Sequence, residues 1–211
     1  MRESFPRTQY AGYPFLWIIL CLLMLAVVGC SKTAAPLPIP VPVVTQPVTV
    51  AGTSLLIGGR FPEIQTYDLD GNAVLIDRRL FGDRCTLVVF WSTWCGFCMA
   101  ELPHEVELAR RYEKDGFRVI GVNADKTSAV AKSAATEYQL PWLNVFEGPE
   151  KYISGQLGIE FWPALFLLDS DGKVIAAMQQ LRQHTVRTMP DGSVQPISSL
   201  DLKLEELLGT K

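Results

Sequence analysis

The chain has 211 residues, 48% of them hydrophobic, with 19 basic and 22 acidic side chains giving a formal net charge of −3. That is room for one domain of ordinary size plus extensions, with enough apolar content for a packed core. No basic stripe stands ready for nucleic acid, and no acidic run for a solvated arm.

At the N-terminus, Arg2 and Arg7 precede an uncharged apolar run, residues 15–28, which closes on Gly29-Cys30. A basic start, a short apolar stretch and small residues at its end describe a bacterial secretory signal over residues 1–29. The run has 14 residues, short of the roughly 20 that span a bilayer as a helix. Extended back to Ala11 it reaches 18, with Tyr13 and Pro14 inside, so a retained signal anchor stays open. Val27-Val28-Gly29-Cys30 resembles the lipobox of bacterial lipoproteins. That resemblance implies cleavage before Cys30 and lipidation of Cys30. With Ser31 in place of a retention-type Asp, it implies an outer-membrane destination facing the periplasm. Residues 34–49 hold five prolines and no charge. Proline fixes φ and favours extended polyproline geometry, so residues 30–52 read as a lipid-bearing N-terminus and semi-rigid spacer. The folded domain is expected over residues 53–211.

Within that domain, residues 61–68 and 73–76 flank Asp70-Gly71-Asn72 and read as a β-hairpin. Residues 85–91 (CTLVVFW) are nearly all apolar, as in a strand buried on both faces. Residues 97–114 read as a helix ending near Asp115-Gly116, with Pro103 removing one backbone bond from it. Residues 117–123 are a second buried strand, 128–138 a helix, 143–146 a short strand and 150–157 a short helix. Residues 163–168 and 173–178 form a hairpin through Asp169-Ser170-Asp171-Gly172, and 200–208 an amphipathic final helix. Alternation of strand and helix gives an α/β fold with a central mixed β-sheet flanked by helices. Its site belongs at the C-terminal ends of the parallel strands, where Cys95 follows directly.

Cys95 and Cys98 form a CxxC pair. Such a pair serves as a redox couple, as half of a metal site, or as two buried thiols. Zinc needs four ligands, and beyond residue 30 only Cys85, His104 and His184 stand beside the pair, with no HxxxH-type spacing. In the redox reading Cys95 caps a helix, where unpaired N–H groups and the dipole favour a thiolate. Cys98, one turn deeper and more buried, completes the exchange. Cys85 opens its strand about 20 Å from the far end, out of reach of Cys95, and reads as a buried free thiol. Trp91 and Trp94 pack around the pair, Trp94 on the outer side. His104 reads as a solvated helix residue, and His184 carries no reading.

Trp94-Cys95-Gly96-Phe97-Cys98 after a strand resembles the thioredoxin superfamily. The wider string from Phe90 through Glu101-Leu102-Pro103, the preceding hairpin, and the block from Gly158 to Asp169 with Asp171-Gly172-Lys173 resemble its exported TlpA/ResA-like branch of thiol–disulfide oxidoreductases. The three blocks occur in order over residues 55–180. The resemblance implies a thioredoxin-like fold with an extra N-terminal β-hairpin, and a redox disulfide between Cys95 and Cys98. It implies a cis peptide bond at Pro163, with Trp162 before it and Trp94, Gly96 and Phe97 binding substrate. Trp162 departs from the small or branched residue commonest there. Glu101, three residues after Cys98 on the same helical face, is implied as an acid that accepts the proton of Cys98. No cofactor and no metal is called for. The implied partners are protein thiols and disulfides and a membrane electron donor, with a monomer expected. The implied activity is protein-disulfide reduction, as for the cysteines of apocytochrome c before haem attachment. Net oxidation or isomerisation stays open, because Gly96-Phe97 matches neither common version. A peroxiredoxin-type peroxidase is disfavoured by Val88, which stands where a proline is expected. A tethered non-enzymatic module is the third class.

Overall fold

A computed structural model describes residues 57–209 and a two-residue strand, β1 (Val43–Val44). The expected signal, Cys30 and the rest of the spacer lie outside the described residues. Strands β2 (Ile64–Asp68) and β3 (Ala73–Ile76) form the antiparallel hairpin, in register from Ile64↔Ile76 to Tyr67↔Ala73. Its turn closes because the Asp68 carboxylate accepts from the Asp70 and Asn72 N–H groups at 2.8 and 2.9 Å and Gly71 takes φ 85°, a region open to glycine.

β4 (Cys85–Trp91), β5 (Phe117–Asn123) and β6 (Leu143–Phe146) are parallel. β7 (Ala164–Asp169) and β8 (Val174–Ala177) continue the sheet antiparallel beyond β4. Among the described residues the order is β1-β2-β6-β5-β4-β7-β8, with β3 on the other edge of β2. β4 is central and wholly buried, and its side chains alternate between two cores. Cys85, Leu87, Val89 and Trp91 join Leu102, Leu108 and Tyr112 of helix α1 (Gly96–Tyr112) and Leu200 and Leu204 of α5 (Ser199–Leu208). Val88 and Phe90 join Ile64 and Ile76 of the hairpin and Ile153 of α3 (Tyr152–Gln156). α2 (Ser128–Glu137) packs Ala134 into the first core. α1 ends in a 3-10 turn, Glu113–Asp115, and Gly116 at φ 84°.

Two regions differ from the sequence reading. The proline-rich segment reads as a free spacer, yet Val43 and Val44 pair antiparallel with Gln65 and Ile64. They are a β-branched pair, a residue type that suits an extended strand. Between β8 and α5 the chain forms a short helix, α4 (Gln179–Arg182), and an unexpected hairpin of β9 (His184–Thr188) and β10 (Val194–Ser198). Asp191-Gly192 turns it, with Gly192 at φ 83° and the Ser193 N–H donating to Asp191 at 2.9 Å. An Arg187–Glu205 ion pair ties the hairpin to α5.

Candidate active site

The loop from β4 to α1 is fixed before it reaches the cysteines. Asp125, just past β5, accepts from the Thr93 N–H at 3.0 Å and the Thr93 hydroxyl at 2.8 Å. Asn123 holds that carboxylate in turn, its Nδ2 donating at 2.9 Å. The Trp91 indole N–H donates to Asn144 Oδ1 at 3.0 Å across Gly121. A Cβ at Gly121 would lie 2.1 Å from that oxygen, so the contact requires glycine there.

Cys95 then caps α1 in extended conformation, its Sγ accepting the Cys98 N–H at 3.1 Å. Cys95 and Cys98 are joined as a disulfide with their Cα atoms 5.2 Å apart. Cys95 is 7% exposed and Cys98 2%, the order expected of an outer and an inner thiol. The first turn of α1 carries no acidic residue, so no local charge opposes the positive end of its dipole. Cys85 is free and buried at the other end of β4, paired with Phe117 and Asp169. Burial pushes its thiol up to about 12.

The Trp162–Pro163 peptide is cis. Phe90 pairs with Ala164, so this bond reaches the end of the sheet where β4 hands over to α1. The Trp162 ring stands edge-on to Trp94 at 5.6 Å and to Phe90 at 6.1 Å. Trp94, Phe97 and Phe161 are 53, 72 and 74% exposed, giving the disulfide an aromatic rim. A Cβ at Gly96 would meet nothing within 4 Å, so the surface over the CxxC dipeptide is open. Lys151 Nζ lies 4.9 Å from the Trp94 ring centroid and 5.4 Å from that of Trp162.

The acids deeper along α1 are arranged in a way the sequence reading missed. Glu101 Oε1 accepts from Arg182 Nε at 3.0 Å and Nη2 at 2.9 Å, and the Arg182 guanidinium also lies 5.9 Å from the Phe97 ring. One turn further, Glu105 is buried at 3% exposure, and its Oε2 has no hydrogen-bond partner among the described residues. Burial first, and the neighbouring Glu101 second, push its carboxyl up to about 8 against the pull of Arg182. A signal for it existed: Cys98, Leu102, Glu105, Ala109 and Tyr112 follow helical spacing, so Glu105 sits in an apolar stripe. His104 is a correction. Beyond being a part-exposed helix residue, it lies 3.0 Å from Asp201 Oδ2 and joins α1 to α5. That hydrogen bond raises the imidazole pKa against the cost of burial. Burial alone would raise Asp201, but the bonds from His104 and Ser198 outweigh it and hold the carboxyl at about 2. On the other side of the site, burial pushes Glu147 up to about 7, while the Ser154 and Ile153 N–H groups it accepts from pull it back.

A sheet of this topology with a CxxC disulfide capping a helix beside a cis-proline defines a thiol–disulfide oxidoreductase of thioredoxin-like fold. The Redoxin family matches residues 56–190, and the chain belongs to that family. It is 30% identical over 141 residues to the thiol-disulfide oxidoreductase ResA of Bacillus thuringiensis subsp. konkukian, across 64% of this chain and 79% of that one. It is 31% identical over 126 residues to the thiol:disulfide interchange protein DsbE of Vibrio cholerae, across 57% of this chain and 64% of that one. The crystal structure of the thioredoxin domain of a thiol-disulfide oxidoreductase from Bacteroides vulgatus matches with a TM-score of 0.57 at 25% identity, covering 72% of this chain and 97% of that one. The TlpA/ResA-like resemblance read from the three sequence blocks therefore holds, and the protein is an enzyme of thiol–disulfide exchange. Among the described residues no helix is long and apolar enough to cross a membrane.

Proposed function

We propose that the enzyme is a protein-disulfide reductase held on the outer side of a bacterial membrane, with Cys95 as attacking thiol and Cys98 as resolving thiol. The observation that carries this reading is the Cys95–Cys98 disulfide at the α1 N-terminus beside the cis Trp162–Pro163 bond. In the reduced enzyme, the Cys95 thiolate attacks one sulfur of a substrate disulfide. A Cys95–substrate disulfide forms, and the other substrate sulfur leaves as a thiolate that takes up a proton. Cys98 then loses its proton and attacks Cys95 Sγ. The Cys95–Cys98 bond forms and the second substrate sulfur leaves. Two electrons pass to the substrate, and a dithiol donor at the membrane must return them.

The helix N-terminus stabilises the Cys95 thiolate in both steps. Glu101, on the same face of α1 as Cys98, takes the Cys98 proton and is oriented by Arg182. The Trp162 backbone pairs with an extended substrate segment, and Trp94, Gly96 and Phe97 complete the contact surface. Acylated Cys30, or a retained signal anchor, tethers a monomeric domain in the periplasm, and the stretch from residue 31 to the start of β1 sets its reach. The disulfide of an apocytochrome c, reduced before haem attachment, is the substrate that the TlpA/ResA-like resemblance implies. The direction of electron flow is tested by the Cys95–Cys98 midpoint potential of the full chain in detergent. A value near about −270 mV is expected; one near about −120 mV would make the enzyme an oxidant.

A further inference from the structure

The rim of the site carries a charge that no salt bridge holds. Of the two cations that meet its rings, Arg182 is engaged by Glu101. Lys151 makes no direct salt bridge among the described residues, although its charge acts on the buried Glu147 carboxyl, and its Nζ stands over both Trp94 and Trp162. Trp162 is the residue before the cis-proline, and Trp94 directly precedes Cys95. The ammonium therefore lies against the two rings that bracket the disulfide.

Like Gln139 and Met178, Lys151 takes a positive φ. Its backbone is left-handed, with φ 55° and ψ 48°, a conformation costly for a residue with a Cβ. It is locked there by the Lys151 N–H donating to Gly148 O at 3.2 Å and the Gly155 N–H donating to Lys151 O at 2.7 Å. Glycine would relieve the strain, and the Lys151 side chain gives no capping bond to α3 in return. What the position supplies is the reach of a cation to the rim. The rings hold its stem and weaken its hydration, but a ring quadrupole does not neutralise a charge. A carboxylate does.

We propose that Lys151, Trp94 and Trp162 form a charge-reading subsite that selects cysteine segments with Asp or Glu beside the reacting cysteine. The proposal rests on the exchange reaction assigned to Cys95 and Cys98. The substrate segment lies extended along Trp162, its apolar side chains meet Trp94, Phe97 and Phe161, and its carboxylate meets Lys151.

The test uses short cysteine peptides in disulfide linkage to a fluorescent thiol, with Asp or with Lys on both sides of the cysteine. The reduced full chain in detergent is the enzyme. Rates are divided by those with dithiothreitol, because flanking charge also alters the reactivity of the thiol itself. The expected result is a kcat/KM ratio of about five in favour of the Asp peptide at low salt, falling toward one near 1 M salt. Lys151→Met brings the ratio to about one and Lys151→Glu inverts it. Lys151→Gly, which suits the left-handed backbone, behaves as Lys151→Met. A wild-type ratio near one, or a ratio unchanged in both the Met and Gly variants, overturns the subsite. Failure of the wild type to exchange with either peptide, while dithiothreitol does, overturns instead the assignment of Cys95 and Cys98 on which the proposal stands.

Discussion

The mouth of the site and the ground beneath it are built from opposite materials. At the mouth, Trp94, Phe97 and Phe161 turn large apolar surfaces to water around the disulfide. Beneath it, the part-buried pair of Glu101 on α1 and Arg182 on α4 stands beside the buried Glu105. Folding favours neither arrangement. Exposed aromatic area forgoes burial, and a buried carboxyl forgoes hydration. The local rules of folding fail in opposite directions at these two places, as expected where function competes with stability. The two regions should therefore respond differently to mutation: changes at the mouth cost activity, and changes beneath it, the proton-accepting Glu101 apart, move stability and its pH dependence.

The largest effect is expected at the mouth. Cys95→Ser should lower insulin-disulfide reduction by at least about a thousandfold with little change in urea midpoint relative to the reduced wild type. Cys98→Ser should leave the first step intact and accumulate mixed disulfides with substrate. A Cys95→Ser enzyme within tenfold of wild type would remove Cys95 from the chemistry. Beneath the mouth, Glu105 gives the next effect, in stability. Its folded pKa of about 8 lies above the ordinary glutamate value of 4.5, so between those values the native state binds more protons than the unfolded chain. Stability must fall as pH rises through that window and level off above about 8. The loss is on the order of several kcal/mol, because each tenfold difference in proton affinity between the two states is worth about 1.36 kcal/mol. Glu147, pushed up to about 7 by burial, titrates in the same window, so the informative comparison is between variants. Glu105→Gln should flatten much of the fall between pH 5 and pH 9 in urea denaturation, and Glu105→Leu should be more stable than wild type at pH 9. Parallel pH curves for wild type and Glu105→Gln would show that Glu105 does not titrate there.

The same contrast explains what could be read in advance. β4, β5 and β6 were legible to the residue because each is a short, mostly apolar run rich in branched side chains, as suits a strand buried in a parallel sheet. The CxxC pair and Pro163 were legible because few residue types do their chemistry. The ground beneath was not, because its meaning lies in partners distant in sequence. Glu101 meets Arg182 and His104 meets Asp201 only once α4 and α5 fold back over α1. Glu105 carried one signal, its place in the apolar stripe of α1, but the groups that bury it, Leu165, Leu181, Arg182 and Leu200 among them, come from distant parts of the chain. The β9–β10 hairpin escaped because its strands are mostly polar and exposed, although Pro190-Asp191-Gly192 carried a turn signal. Lys151 was invisible for a further reason: no pattern marks a lysine whose backbone is left-handed.

The smallest effect sharpens the contrast by asking whether an ion pair outside the acid cluster behaves as an ordinary strut. His104 and Asp201 join α1 to α5 through one bond of 3.0 Å. The His104 pKa is raised, so its contribution is complete below the unfolded value of 6.5 and is lost as pH rises through the folded one. Asp201 is held at about 2, so its contribution is present above 3.8 and lost as pH falls through 2. The pair is therefore worth most between about pH 4 and pH 6.5. With 42% of the His104 side chain exposed, solvent screening limits it to about 1 kcal/mol. Asp201 also closes a capping box with Ser198, so single mutants mix two effects. A double-mutant cycle with His104→Ala and Asp201→Ala separates them. The coupling energy should be about 1 kcal/mol at pH 5.5 and shrink by pH 9. A coupling as large at pH 9 would mean that neutral imidazole makes the contact as well as charged, and that the α1–α5 joint is a plain hydrogen bond.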